Sequence, residues 1–251
     1  PDGGQGEMSS YADFAYLYDM LTDDVDYTAM ADYLESLFAE FMDRRPSIIA
    51  DIGCGTGTMC DILDRRGYDM IGIDSSEEML NVARTKSDDG VLYLEQDMTE
   101  FELYGTVDVI LSMLDSFNYM TEDGDADKFF ALAKNYLDPG GLLIFDINTP
   151  YKFENTFADK IYTYENEKVF YIWENDFDGK ICEFYLNFFV NDGCGKYARI
   201  TEQHFERCYG IDELIGKINA VGLRTLAVFG DKSREKYKND DERVFFIAKK
   251  D

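Results

Sequence analysis

The segment Asp51-Ile52-Gly53-Cys54-Gly55-Thr56-Gly57 places three glycines at alternate positions directly after the apolar run Ile48 to Ile52 and before a helical pattern. Glycine allows backbone angles and close approaches that a Cβ would block, and the amides opening the next helix attract a polar or negative group. Such a strand-loop-helix turn is where open α/β sheets bind ligands, although a tight structural turn would use the same residues.

Two acids stand where a second and third strand should end. Asp74 follows Gly57 by seventeen residues and can accept both hydroxyls of a ribose, or simply cap the next helix beside Ser75. Asp97, in Gln96-Asp97-Met98, can accept from an adenine amino group while Met98 packs on the ring; a solvated loop carboxylate is the competing explanation. Together with the glycine loop they specify a ligand containing a nucleoside.

His204 is the one histidine and the obvious proton acceptor. On a strand, Glu202 and Glu206 share its face, and their proximity should favour the imidazolium and weaken it as a base. Tyr11 and Tyr18 lie seven residues apart on one helical face, with hydroxyls able to reach a ligand or to sit wetted at the rim of a core.

The elements that position these groups follow from periodicity. Residues 9–45 carry apolar positions three and four apart, interrupted at Asp23 to Asp26, and predict two helices, the second capped from that interruption. Strands are expected at Ile48 to Ile52, Met70 to Ile73, Val91 to Glu95, Val107 to Leu111 and Leu142 to Ile147, with helices over 58–66, 76–86 and 125–137. Ser75-Ser76-Glu77-Glu78 reads as a capping box closed by Ser75 and Glu78. Alternating strands and helices imply a doubly wound, mostly parallel sheet.

Over 160–209 the pattern is β alone. Cys182, Phe184, Leu186, Phe188 and Val190 alternate, Asp178-Gly179 marks a hairpin turn from Val169 to Phe177, and a third strand covers Tyr197 to Glu206. A helix at 211–220 then leads to an antiparallel pair, Leu223 to Phe229 and Arg243 to Ala248. The expected organisation is a disordered or non-native end at 1–8, a helical cap at 9–45, an α/β core at 46–159 and 210–251, and an antiparallel β insertion at 160–209.

Composition bounds the function. Hydrophobic residues at 45% and aromatics at 15% supply a globular core. A formal net charge of -27 repels RNA and DNA, which makes nucleic acid a disfavoured partner. Five cysteines, without a C-x-x-C pair and with a single histidine, fit neither a disulfide framework nor a zinc site. No metal is expected. The absence of a membrane-length apolar run or a leader pattern makes the cytoplasm the expected location, with no membrane partner.

Residues 46–150 resemble the class I S-adenosylmethionine-dependent methyltransferases. Asp51 to Gly57 matches the glycine motif, Asp74 the ribose acid and Gln96-Asp97-Met98 the adenine-side motif; Asp108 to Tyr119 is similar to the segment lining the methionine and substrate side. The family's sheet has seven strands. The resemblance implies S-adenosylmethionine as cofactor, held by Asp51, Gly53, Cys54, Gly55, Gly57, Asp74, Ser75, Met79, Gln96, Asp97, Met98, Ser112 and Tyr18. It implies a substrate side at Asp115, Asn118 and His204.

Tyr11 to Tyr33 and Glu202-Gln203-His204-Phe205 resemble a bacterial branch distantly similar to amino-sugar N-methyltransferases, in which the helical cap covers the cofactor and the β insertion roofs the acceptor. The expected activity is methyl transfer to nitrogen or oxygen of a small molecule. An RNA or protein acceptor, a nicotinamide-dinucleotide oxidoreductase and a non-catalytic cofactor-binding regulator are the alternatives. The dinucleotide loop G-x-G-x-x-G would put its third glycine where Thr58 stands.

Overall fold

In the computed structural model residues 25–87, 90–191 and 193–251 are described. The end at 1–8, the first of the two N-terminal helices, Tyr11 and Tyr18 lie outside them. The chain runs α1 (Tyr27–Phe41), β1 (Ile48–Ile52), α2 (Thr58–Arg65), β2 (Asp69–Asp74), α3 (Glu77–Lys86), β3 (Leu92–Glu95) and β4 (Val107–Ser112). After a 3-10 turn at Ser116–Tyr119 come α4 (Asp125–Tyr136) and the long β5 (Leu137–Asn148). Next come β6 (Ile161–Glu165), β7 (Val169–Phe177), β8 (Ile181–Asn191) and β9 (Tyr197–Arg207), and α5 (Ile211–Ala220), β10 (Arg224–Gly230) and β11 (Arg243–Lys249) complete the order.

Seven strands form one sheet in the order β10-β11-β5-β4-β1-β2-β3. β3, β2, β1, β4 and β5 are parallel neighbours, whereas β11 runs antiparallel to both β5 and β10. Alternation along each strand sends its residues to opposite faces. Ala50, Ile110, Leu143, Phe145 and Phe246 pack on one face with Phe129 and Phe130 of α4 and Leu214 of α5. Ile49, Val109, Leu111, Ile144 and Phe245 pack on the other with Leu34 of α1, Leu63 of α2 and Leu80 of α3. Helices cover both faces, as a parallel sheet requires.

The remaining four strands form a second, antiparallel sheet in the order β6-β7-β8-β9. Cys182, Phe184, Leu186 and Phe188 are buried on one of its faces against Phe153 and Phe157, which is the alternation the sequence carries. The hairpin before β8 turns one residue later than expected: Phe177 pairs with Cys182 and Asp178 N donates to Ile181 O, so Gly179 and Lys180 form the bend.

Two further local expectations change. α3 is capped by Ser76, whose Oγ accepts from Met79 N at 3.2 Å and donates to Glu78 at 3.1 Å, so Ser75 stands outside the cap. β6 is an addition to the expected strands: all five of its residues are exposed on a sheet edge, leaving no buried face to mark it in the sequence. Asp26 does cap α1, accepting from Ala29 N at 2.8 Å. Among the described residues no helix is long and apolar enough to cross a membrane.

Candidate active site

The glycine loop turns at the carboxyl end of β1, where Gly53 N and Cys54 N both donate to Ile73 O of β2, at 2.7 and 2.9 Å. Its glycines are required by close approaches. Gly53 has φ +78° and a Cβ there would lie 2.7 Å from Ser116 Cβ; at Gly57, with φ +73°, it would lie 2.4 Å from the Tyr93 hydroxyl. The loop is thus pressed between the segment after β4 and the side chains of β3 and α3.

Asp74 at the end of β2 braces the same loop. Its Oδ2 accepts from Gly55 N at 2.8 Å and its Oδ1 from Ser76 N at 2.9 Å, so one carboxylate ties the loop to the start of α3. Burial nevertheless raises its pKa. Ser75 is exposed beside it and Met79 is buried one turn into α3.

Asp51, 2% exposed, closes β1. Its Oδ2 meets the Cys60 thiol at 3.6 Å, while Oδ1 is buried without a hydrogen-bond partner among the described residues. Burial pushes this carboxyl up to about 7, against the Cys60 hydrogen bond and aided by the charges of Asp74 and Asp146. Asp51 lines a cavity of about 20 Å³ with Gly53, Cys54, Met113 and Leu114. On the neighbouring strand the fully buried Ser112 Oγ also lacks a partner among the described residues. Two orphaned polar groups at one end of adjacent strands fit a ligand that brings its own donors, because each costs roughly 1–3 kcal/mol if left unmet.

The adenine-side residues are divided in role. Gln96 spends its amide on the backbone of Glu102, accepting from N at 2.7 Å and donating to O at 3.3 Å, and so holds the loop after β3 closed. Asp97 is exposed and accepts at Oδ1 from Thr99 N and Oγ1, at 2.7 and 2.6 Å. Met98 reaches back to Gly53, 3.3 Å from the Cβ position there.

On the substrate side, Leu114 and Asp115 both adopt left-handed backbone, with φ +55° and +57°, which non-glycine residues rarely hold outside functional turns. Asp146 of β5 fixes that backbone by accepting from Leu114 N and Asp115 N at 2.6 and 3.0 Å. Phe117 anchors the following turn, stacking on Phe145 with ring centroids 4.5 Å apart. Ser116 Oγ has one proton and two acceptors, Met113 O at 2.8 Å and Gly53 O at 3.1 Å, so it links this turn to the glycine loop. Asp108, at the other end of β4, instead pins the start of β1 by accepting from Ser47 N and Ile48 N at 2.7 and 3.1 Å.

Asn118 is fully buried and used by the fold: Oδ1 accepts from Asn148 N at 3.0 Å and Nδ2 donates to Arg207 O at 2.9 Å. It clamps the turn between the two sheets. Asp115 accepts from Arg243 NH2 at 2.5 Å, and Arg243 also donates to the wholly buried Asp146. His204, half-buried, meets the Tyr119 ring edge to face at 6.0 Å. Burial lowers its pKa, so the neutral imidazole is favoured and the imidazolium expected from Glu202 and Glu206 is not.

Arg243, Asp146, Asn148 and Lys152 have no role in the sequence reading, and Glu206 enters it only as a neighbour of His204, yet they gather here. Asn148 Nδ2 donates to Glu206 Oε2 at 2.8 Å, and Lys152 Nζ donates to Asn148 Oδ1 at 2.9 Å. The available signal is Asp146 and Asn148, polar residues inside and just after an otherwise apolar strand run.

Residues 49–141 match the Methyltransferase domain family. An inferred methyltransferase of Geobacillus sp. (strain WCH70) is 32% identical, the alignment spanning 96% of this chain and 100% of that protein. The dTDP-3-amino-3,4,6-trideoxy-alpha-D-glucopyranose N,N-dimethyltransferase of Streptomyces venezuelae is 26% identical over 88% of this chain and 94% of its own. Of solved structures, an S-adenosylmethionine-dependent methyltransferase from Clostridium acetobutylicum ATCC 824 superposes with TM-score 0.87 at 31% identity, covering 95% of this chain and 98% of that one. With the seven-stranded sheet and the loop at the end of β1, these likenesses place the chain in the class I S-adenosylmethionine-dependent methyltransferases.

Proposed function

We propose that this enzyme transfers the methyl group of S-adenosylmethionine to a nitrogen or oxygen nucleophile of a small molecule by in-line displacement. The observation that carries the reading is the orphaned Asp51 Oδ1, buried beside the glycine cradle. A cationic amino group such as that of the cofactor's methionine portion supplies the donor and the charge this oxygen lacks. Ser112 offers a second polar contact, Asp74 and the exposed Ser75 face the ribose, and Asp97, Met98 and Met79 bound the adenine. Gly53, Cys54, Gly55 and Gly57 contribute backbone. Gln96 acts by holding its loop, and Tyr18 lies outside the described residues.

The bound cofactor supplies an activated sulfonium methyl, so this chain's task is to align the acceptor and exclude water. The sheet of residues 160–209 serves as the roof over that space, joined to the cofactor loop through Asn118 and Ser116. Asp115 and His204 belong to the acceptor side. The Streptomyces venezuelae relative is named for a dTDP-linked amino sugar, which supports a small polar acceptor. The net charge of -27 weighs against RNA.

Calorimetric titration with S-adenosylmethionine, followed by methyl-label transfer into pooled metabolites, tests the reading. The expected result is binding of the cofactor and label in a small molecule. Binding of a nicotinamide dinucleotide in its place, or label only in RNA or protein, overturns it.

A further inference from the structure

The buried cluster where the two sheets meet holds one carboxyl more than its cations match. Asp115, Asp146 and Glu206 face Arg243 and Lys152, three acids against two bases. Arg243 is committed to Asp115 and Asp146. Lys152 is directed to Asn148, which leaves Glu206 with a single neutral donor, Asn148 Nδ2. Its Oε1 carries no hydrogen bond among the described residues. A carboxylate 5% exposed with so little compensation is complementary to a cation or proton brought from outside.

We propose that Glu206 takes the proton from an ammonium acceptor, so that an amine, rather than an alcohol, is the methylated group. This rests on the methyl-transfer reading above. The geometry supports the assignment because Glu206 joins the cofactor loop through consecutive contacts. Asn148 holds both Glu206 and, through its backbone, Asn118; the turn containing Asn118 carries Ser116, which bonds Gly53. Asp115 lies at the start of that turn and repels Glu206 electrostatically.

On β9, Glu202, His204 and Glu206 point to the face that buries Leu186, Phe184 and Cys182, their direct partners on β8. Among the described residues the titratable groups around Glu206 are Asp115 after β4, Asp146 on β5, Lys152 after β5, Arg243 on β11, Cys182 on β8 and His204 on its own strand. Burial, then repulsion from Asp115, holds the Glu206 carboxyl well above the usual range, against the Asn148 hydrogen bond and the charges of Lys152 and Arg243. A carboxyl raised above its ordinary range suits an amine, since a protonated carboxyl with a free amine and a carboxylate with an ammonium hold the same number of protons.

In the step itself, Glu206 Oε1 takes one N–H proton from R–NH3+, giving R–NH2 and the neutral carboxyl. The freed nitrogen lone pair forms the N–CH3 bond while the C–S bond breaks with its electron pair passing to sulfur. The product leaves as the N-methylated ammonium, and Glu206 returns its proton to solvent.

The test uses the full chain saturated with S-adenosylhomocysteine and labelled with carboxyl-13C glutamate, the Glu206 signal being assigned by its loss in Glu206→Gln. Propylammonium is expected to lower the pH midpoint of Glu206 by a unit or more, and 1-propanol to leave it in place. An unmoved midpoint, or equal shifts with both probes, overturns the proposal whether or not turnover is found. In turnover with amines and alcohols of matched skeleton, Glu206→Gln should lower kcat about 100-fold or more and remove the acid limb of the pH profile. Its affinity for S-adenosylmethionine should stay within about twofold, because Asn148 can still donate to the new amide oxygen. Glu206→Asp, which keeps the acid, should recover part of the rate. Methylation of alcohols alone, or an unchanged kcat in Glu206→Gln, refutes the role of Glu206 while leaving methyl transfer standing; failure to bind the cofactor refutes the reading beneath it.

Discussion

Replacing Asp51 by Asn should make the cofactor-free protein more stable, and increasingly so as pH rises. Burial lifts the Asp51 carboxyl from 3.8 to about 7 in the folded protein. Between about pH 4 and 7 the folded chain keeps this proton and the unfolded chain gives it up, so the raised value supports stability fully at low pH and loses it as pH rises. At about 1.4 kcal/mol per pH unit, the loss reaches roughly 1.5 kcal/mol at pH 5 and roughly 4 kcal/mol at pH 8. The amide of Asp51→Asn has no such proton to lose and can still accept from Cys60. The advantage of this variant over the parent should therefore grow by about 2.5 kcal/mol between pH 5 and pH 8. Urea unfolding reads this as an increase of about 1 M in the midpoint difference, for a slope near 2.5 kcal/mol per M. The same variant should bind S-adenosylmethionine more weakly. A midpoint difference identical at both pH values would refute the claim that Asp51 is held protonated by burial.

Asp74→Ala removes the acceptor of both Gly55 N and Ser76 N and should weaken S-adenosylmethionine binding about 10- to 100-fold by calorimetry, the worth of a hydrogen bond to a charged group. Gly57→Ala puts a Cβ against the Tyr93 hydroxyl on left-handed backbone and should cost about 2 kcal/mol or more, seen as a lowered thermal midpoint. Arg243→Met strands the buried Asp146 and should destabilise by about 3–5 kcal/mol in urea, with Asp146→Asn in the same chain recovering part of the loss.

The proposed cofactor half of the site is legible in the sequence because it is local. Gly53 to Gly57, Asp74 and Asp97 each end a strand whose apolar run is visible, and the order of strands and helices fixes which ends share an edge. The proposed acceptor half is assembled from Asp115, Asp146, Glu206 and Arg243, which are far apart in the chain: Asp115, Asp146 and Arg243 meet through β4, β5 and β11 of the main sheet, and Glu206 joins them only once the second sheet folds back. Asn118 shows the converse difficulty: its position suggests a substrate contact, but its amide is consumed in fastening that sheet. Gln96 is placed by its motif, and its side chain proves to bond backbone, a distinction that periodicity does not encode. For His204 the neighbours in sequence point to an imidazolium, whereas burial decides its charge.

The strand order also has a consequence for biosynthesis. β11 is made after β10, yet it lies between β5 and β10 and supplies Arg243 to Asp115 and Asp146. A nascent chain that has emerged as far as β10 has no neighbour for that strand and no counterion for two acids already in place. Until β11 has emerged from the ribosome, β10 therefore cannot join the sheet and Asp115 and Asp146 remain without their arginine.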